Sequence, residues 1–266
     1  MEGDDDPTLV TDGVVVANSG VFGAGGGPLT IYDPVDSTAA NTPITVGFIH
    51  SAATQNDQLY VVDNAGTASG RITIYDTGTF QAVGQLQNTR APRSIASDGA
   101  TAYVTNLTFG DNFTPVESTV SVFDLSLSNG DARVDSIDVG VSPEGIAVTN
   151  GKAFVANSGG TTLSIIDTET DAVTTTLDLG CTAPNEVFVD GEDEVVVVCE
   201  GSGDTPAEVV FLDPATEQER ERLTLATAAG SANGTQSAFY AAEAEELYVL
   251  EAKIGRASCR ERVSFT

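Results

Sequence analysis

Several residue types are scarce in this chain of 266 residues, and each shortage excludes something. The sequence has no tryptophan, one histidine, one methionine and three cysteines, and 11 basic residues stand against 39 acidic ones for a formal charge of −28. Clustered lysine and arginine are needed to neutralise phosphates, so nucleic acid is excluded as a partner and an anionic membrane surface is disfavoured. A metal, haem or Ser-His-Asp site with histidine would have to be built around His50 alone.

Long apolar runs are also missing. No stretch of about 18 apolar residues is present to form a transmembrane segment, and residues 1–11 form an acidic linker without the basic and apolar regions of a signal peptide. The chain is nevertheless 41% hydrophobic, which is enough for a sizeable core. Its acidity fits halophilic adaptation, because salt screens the repulsion between like charges, better than it fits a cationic partner.

The final residues, 253–266, differ in composition from the rest. They contain four of the 11 basic residues and the third cysteine, Cys259. The string from Ile254 to Val263 resembles the conceptual translation of a sequencing-library adaptor. We therefore expect this tail to be non-native, and a genuine basic tail is the alternative.

A repeat of about 45 residues organises the rest of the chain. A short apolar run closed by aspartate recurs, and its aspartates are Asp33, Asp76, Asp124, Asp167 and Asp213. A second apolar run precedes each of them, often after an Asp-Gly or Asn-Gly pair, which is the signal for a tight hairpin turn. The aspartates are predicted to be structural, because a carboxylate at a turn can accept backbone N–H groups.

Each unit predicts four short strands, which is typical of a β-propeller blade. We therefore predict an all-β fold: a β-propeller of four-stranded antiparallel blades, with five nearly complete blades and a half blade. The predicted blades cover residues 12–47, 48–90, 91–140, 141–180, 181–229 and, for the half blade, 230–252.

Specific segments now point to a family. The segment Ala102-Tyr103-Val104-Thr105-Asn106, with Asn150 to Asn157 and Leu163 to Val173, resembles the YVTN-type repeat of surface-layer and periplasmic β-propellers, and Val16 to Gly20 and Val198 to Gly201 are similar to cell-surface lipoprotein members. The resemblance covers residues 12–252. It implies a parent of seven blades, an extracytoplasmic location in the periplasm or at the cell surface, and a lipid anchor upstream of Met1.

Ligands of propellers usually bind at the channel mouth or at the rim formed by the loops between blades. The repeat places one set of polar residues at the start of the first strands: His50, Arg93, Glu144 and Asn185. A second set closes the second strands: Asn18, Asp63, Asn106, Asn157 and Glu200. These residues are candidates for ligand binding. The alternative is that the Asn, Asp and Glu side chains cap loop backbone and that His50 is a surface or packing residue.

Two further features remain open. We predict no cofactor, but calcium stays open, with Asp111, Asn112 and Glu117 in the loop 106–119 as the best cluster of oxygen ligands, although no loop has EF-hand spacing. Cys181 and Cys199 are predicted to form a disulfide across the hairpin of the fifth blade, whose turn is expected at Asp190-Gly191. Two buried thiols are the alternative.

We expect a non-catalytic binding scaffold that presents rim loops to a protein, a polysaccharide or a small ligand, and we predict no catalytic residue. The alternative is a propeller enzyme, such as a lactonase, a lyase or a quinoprotein-like oxidoreductase, acting at the channel mouth. An enzyme would need titratable groups that converge on one water-accessible point.

The excess of acidic charge predicts a response to salt. We expect the midpoint of thermal unfolding to rise strongly between low salt and 1 M NaCl, where the Debye length falls to about 3 Å and like-charge repulsion is screened. Circular dichroism measures the midpoint. Sucrose, an uncharged solute that does not screen charge, is the control. A midpoint independent of salt would contradict halophilic adaptation.

Overall fold

A computed structural model describes residues 14–17, 26–33, 38–55, 57–64, 70–127, 133–202, 205–225, 235–241, 246–253 and 256–264, and for the last three ranges it describes the backbone only. Within these ranges the chain forms 22 strands and one single-turn 3-10 helix, Asp111–Phe113. The strands build four four-stranded sheets and two three-stranded sheets, all antiparallel and all made of consecutive strands. Each sheet is one blade.

The blades follow one another along the chain. Blade 1 consists of β1 (Val14–Ala17), β2 (Pro28–Asp33) and β3 (Thr38–Thr45). Blade 2 consists of β4 (Ile49–Gln55), β5 (Gln58–Asp63), β6 (Gly70–Asp76) and β7 (Ala82–Thr89). Blade 3 consists of β8 (Pro92–Ser97), β9 (Thr101–Phe109), β10 (Pro115–Asp124) and β11 (Arg133–Asp138).

Blades 4 and 5 are also four-stranded. Blade 4 consists of β12 (Pro143–Thr149), β13 (Lys152–Asn157), β14 (Thr162–Asp167) and β15 (Ala172–Asp178). Blade 5 consists of β16 (Pro184–Val189), β17 (Val195–Cys199), β18 (Glu208–Leu212) and β19 (Glu219–Thr224). Blade 6 consists of β20 (Thr235–Ala241), β21 (Glu246–Lys253) and β22 (Arg256–Ser264), so the adaptor-like tail pairs as a third strand where the sequence predicted none.

The first strands of the four-stranded blades contact one another in order. β4 contacts β8, β8 contacts β12 and β12 contacts β16, while the later strands of each blade lie progressively further out. This radial arrangement, with the first strand innermost, is that of a β-propeller. The predicted all-β propeller of four-stranded antiparallel blades is confirmed.

The core lies between the blades. In β13, every residue from Ala153 to Asn157 is buried, because one face of blade 4 packs on blade 3 and the other on blade 5. Phe154 packs in the cluster that contains Val210 of blade 5, whereas its neighbour Val155 packs in the cluster that contains Tyr103 of blade 3. Each fully buried side chain of this size contributes about 1.5–3 kcal/mol.

The aspartate that closes each third strand is structural, as predicted. The Asp167 carboxylate accepts the backbone N–H groups of Glu169 and Thr170 at 3.0 and 2.9 Å. Equivalent bonds are made by Asp76, Asp124 and Asp213. The side chain of Asp33 lies outside the described residues.

The turn that follows these aspartates also joins neighbouring blades. Asp171 and Glu217 each stand four residues after the aspartate, and each has a left-handed backbone, with φ of 51° and 59°. Asp171 accepts the Tyr103 hydroxyl of blade 3 at 2.8 Å, and Glu217 accepts the Lys152 ammonium of blade 4 at 2.7 Å. The repeat therefore encodes an inter-blade link as well as a turn.

The structure joins Cys181 and Cys199 by a disulfide, with Cα atoms 6.1 Å apart. The register that led to this pair is wrong, however. Val189 pairs with Val195, so the hairpin turn spans Asp190–Glu194 and is not a two-residue turn at Asp190-Gly191. Cys199 lies opposite Pro184, and Cys181 stands three residues ahead of β16 in the loop that leads into it.

The disulfide closes a loop of 18 residues in sequence separation. We expect reduction, or the double substitution Cys181→Ala/Cys199→Ala, to lower the free energy of unfolding by about 2–4 kcal/mol. Denaturant titration of the oxidised, reduced and double-Ala proteins measures the loss, and intact mass under non-reducing conditions measures the bond. Because Cys259 is a third thiol, three alkylatable thiols after refolding in an oxidising buffer, and not one, would show that no disulfide forms.

Candidate functional site

The loop before each inner strand has one geometry in three successive blades. Ala91, Ser142 and Ala183 have left-handed backbones, with φ of 45°, 56° and 54°, and a proline that opens the inner strand follows each of them. The carbonyl of each accepts the N–H of the residue that follows the partner of this proline on the second strand, at 2.8–3.2 Å. Proline has a fixed φ, so the residue after it is placed in the same way in these three blades.

The residues that follow these positions are those predicted for the channel mouth, and they form two linked groups. Arg93 of blade 3 donates from Nε to Glu144 Oε2 of blade 4 at 2.8 Å and from Nη2 to Oε1 at 2.6 Å. His50 Nδ1 of blade 2 lies 3.1 Å from the Arg93 carbonyl oxygen. Asn185 of blade 5 donates its amide to Glu200. Each of the four side chains stands at the second position of an inner strand, β4, β8, β12 or β16, and these strands contact one another in order.

Hydroxyl groups from the preceding blade hold the backbone of this set. Ser51 donates to the Arg93 carbonyl at 2.7 Å, and Thr105 donates to the Glu144 carbonyl at 2.6 Å while accepting the Ser94 N–H at 3.0 Å. Neither hydroxyl is among the site residues that the sequence predicts. The signal was present, because each hydroxyl sits next to a predicted site residue: Ser51 follows His50 and Thr105 precedes Asn106.

Burial and charge shift two of the ionisable groups. The pKa of His50 falls to about 4, mainly because the ring is desolvated by burial and also because of the positive charge of Arg93. Desolvation raises the pKa of Glu144, and the nearby Glu200 carboxylate adds to this, whereas hydrogen bonds and charge from Arg93 oppose it. The Arg93 and Glu144 side chains are 20% and 13% exposed, so their ion pair is largely removed from water.

The second predicted set is not brought to the rim surface. Asp63, Asn106 and Asn157 are buried. The Asp63 carboxylate accepts the Phe48 N–H at 3.1 Å and pairs with Arg71, and the two amides donate to hydroxyls of the adjacent third strand. Asp63 therefore holds loop backbone, and the two amides join neighbouring strands of their own blades. Asn18 lies outside the described residues.

Glu200 differs from the other members of this set because the register of blade 5 differs from the prediction by one residue. Pro143 pairs with Asn157, and the equivalent Pro184 pairs with Cys199. Cys199 therefore occupies the buried position, and Glu200 lies one residue further on, within reach of Asn185. The sequence assigned to Glu200 the position that Cys199 occupies.

The calcium candidates are not gathered into one ligand set. Glu117 lies in β10 and accepts Arg90 at 3.0 Å, whereas Asp111 and Asn112 lie in the exposed single-turn helix at the hairpin tip. The predicted long loop is shorter than 106–119, because β9 and β10 extend into it. In the described ranges, no group of three or more His, Cys, Asp or Glu residues is arranged to hold a metal ion.

Comparison with known proteins shows the family. Residues 12–259 match the family described as "Domain of unknown function (DUF5074)". The chain belongs to this family. A comparison with curated proteins finds no match. Among the described residues, no helix is long and apolar enough to span a membrane.

Solved structures similar to this chain support the fold. They include hydrazine synthase of Kuenenia stuttgartiensis, with 22% identity and a TM-score of 0.61 over 76% of this chain and 55% of that chain. A chain of the mitotic checkpoint complex has 12% identity and a TM-score of 0.62 over 96% and 77%. The WD40 β-propeller domain of Doa1 has 12% identity and a TM-score of 0.58 over 84% and 70%. At these identities the likeness shows the fold alone.

The Arg93–Glu144 pair predicts a strong asymmetry between single and double substitutions. Arg93→Leu leaves a buried carboxylate without its partner and should cost about 3–5 kcal/mol, whereas the double substitution Arg93→Leu/Glu144→Leu should recover most of that loss. The control is Arg90→Leu, which removes an exposed pair with Glu117 and should cost about 0–1 kcal/mol. Denaturant titrations give the three values, and equal losses for Arg93→Leu and Arg90→Leu would contradict the burial of the pair.

Proposed function

We propose that this protein is a non-catalytic binding scaffold whose ligand site is the channel mouth around His50, Arg93, Glu144 and Asn185. The ligand is a small molecule, a polysaccharide or a segment of a protein. We further propose that its blades are YVTN-type repeats and that it works outside the cytoplasm, in the periplasm or at the cell surface. The disulfide supports export, because such bonds persist in oxidising compartments.

The observation that carries this proposal is a contrast between two repeated positions. The turn after the third strand has aspartate in every repeat, and wherever the structure describes the side chain its carboxylate accepts a backbone N–H from two or three residues further on. The mouth position, which is equally fixed by the backbone, has a histidine, an arginine, a glutamate and an asparagine in four successive blades. A purely structural task would select the same residue each time, so the variation favours recognition of an asymmetric ligand.

Apolar surface on the same rim supports ligand binding. The hairpin of β9 and β10 continues after β9 has stopped pairing with β8. In this extension Phe109 is 45% exposed and Val116 is 64% exposed. Val141, in the loop before β12, is 55% exposed. Binding sites commonly combine apolar contact area with a few placed polar groups, and this rim offers both.

A propeller enzyme, such as a lactonase, a lyase or a quinoprotein-like oxidoreductase, is the second candidate. The raised pKa of Glu144 favours it, since perturbed carboxylates cluster at catalytic sites. Both Glu144 oxygens, however, accept hydrogen bonds from Arg93, and pairing with a cation makes a carboxylate a weaker base. Binding without catalysis is therefore the preferred function.

The proposal is tested by ligand screening with matched variants. A glycan panel and a small-molecule thermal-shift library are tested on the wild type, on Asn185→Ala and on the control Arg220→Met, whose partners Glu194 and Asp213 lie at the opposite ends of the strands. We expect a mouth ligand to bind Asn185→Ala at least about tenfold more weakly, which is 1.4 kcal/mol, and Arg220→Met unchanged. A ligand that binds all three proteins equally would place the site elsewhere.

A further inference from the structure

His50 is held by a group that can only accept a hydrogen bond. Its Nδ1 lies 3.1 Å from the Arg93 carbonyl oxygen, which has no proton to give. Nδ1 must therefore have the ring proton. A neutral imidazole has a single N–H, so Nε2 is left with an unshared electron pair.

The ring remains neutral at ordinary pH for reasons visible around it. Arg93, from β8, places a positive charge beside the ring, and burial also disfavours a second proton, so the pKa falls to about 4. On β5, the strand that pairs with β4, the Asp63 carboxylate lies opposite Ile49, the residue before His50. This carboxylate accepts hydrogen bonds from the Phe48 N–H and from Arg71. No carboxylate in the described part of the chain forms an ion pair with His50.

No described residue donates a hydrogen bond to Nε2. The neighbouring hydroxyl that is best placed to do so, Ser51, donates to the Arg93 carbonyl instead, at 2.7 Å. His50 itself is partly exposed at the mouth. A lone pair with a fixed position, and with no partner among the residues that the structure describes, is therefore left at the proposed binding site.

We propose that His50 determines ligand specificity at the channel mouth as a permanent hydrogen-bond acceptor, and that the ligand places a hydroxyl or N–H donor on Nε2. This inference rests on the proposed function. A ligand with a carbonyl or carboxylate oxygen at that point would meet lone-pair repulsion, and a site built for a donor discriminates strongly against a ligand without one. The ligand class is thus a polyol, an amine or an amide rather than a carboxylate or phosphate at this subsite.

The single histidine makes the tautomer directly measurable. In ¹⁵N-labelled protein, the imidazole gives one spin system, and His50→Gln removes it. We expect Nδ1 to be protonated, Nε2 to be unprotonated, and the ring to titrate near pH 4. A ring protonated at Nε2, or one that becomes an imidazolium near pH 6.5, would overturn the proposal.

Access to Nε2 is tested with diethyl pyrocarbonate, which acylates unprotonated imidazole nitrogen. Between pH 7.5 and 5.5 the rate for a free histidine peptide falls about tenfold, because its pKa is about 6.5, whereas the rate for His50 should stay nearly constant. The mass of the acylated peptide locates the product, and His50→Gln is the control. Acylation only after denaturation would overturn the proposal, because Nε2 would then be closed to any ligand.

Both measurements are made without ligand. They can therefore fail while the weaker binding of a ligand to Asn185→Ala still places the site at the mouth. They can also succeed while the mouth binds nothing from the panel. The two proposals are thus tested independently.

Discussion

Every blade of this protein has two apolar faces and cannot bury both by itself. Phe154 and Val155 are adjacent in one strand yet pack against different neighbouring blades. Burial between blades is thus the interaction on which the whole structure depends. It leaves little room for polar groups within the buried strands, and those that lie there, such as Thr105, Ser121 and Ser164, are hydrogen-bonded. The mouth residues and the turn aspartates stand at strand ends and turns.

The ends of the strands are then divided between two tasks. At the turns after the third strands, an aspartate carboxylate accepts a backbone N–H from two or three residues further on in each blade where it is described. At the mouth, the backbone is equally regular but the side chains differ. Regular backbone with irregular side chains is what a repeat protein needs in order to offer one asymmetric surface from near-identical units. The inner strands fix the backbone, and the second residue of each inner strand provides a side chain that differs from blade to blade.

Much of this could be predicted from the sequence, because a repeat multiplies weak local signals. The aspartates closing the third strands and the polar residues at His50, Arg93, Glu144 and Asn185 were all placed by the period alone. The register of blade 5 could not be placed in this way. Asp190-Gly191 carries the signal of a tight turn, but the Asp190 carboxylate caps Glu192 and Glu194 and stabilises a longer loop. Side-chain capping of that kind competes with turn propensity and leaves no simple trace in sequence. The ion pair between Arg93 and Glu144 depends on the geometry between blades, which the period does not specify.

One position recurs in four blades with different chemistry. Opposite the residue that opens the inner strand, the second strand has the Asp63 carboxylate in blade 2, the amides of Asn106 and Asn157 in blades 3 and 4, and the sulfur of Cys199 in blade 5. The carboxylate and the sulfur bind the loop before the inner strand, whereas the two amides bind hydroxyls of the third strand. A reductant therefore acts on this position in blade 5 alone among the four blades. It frees the loop before β16 there and leaves the hydrogen bonds of the other three blades intact.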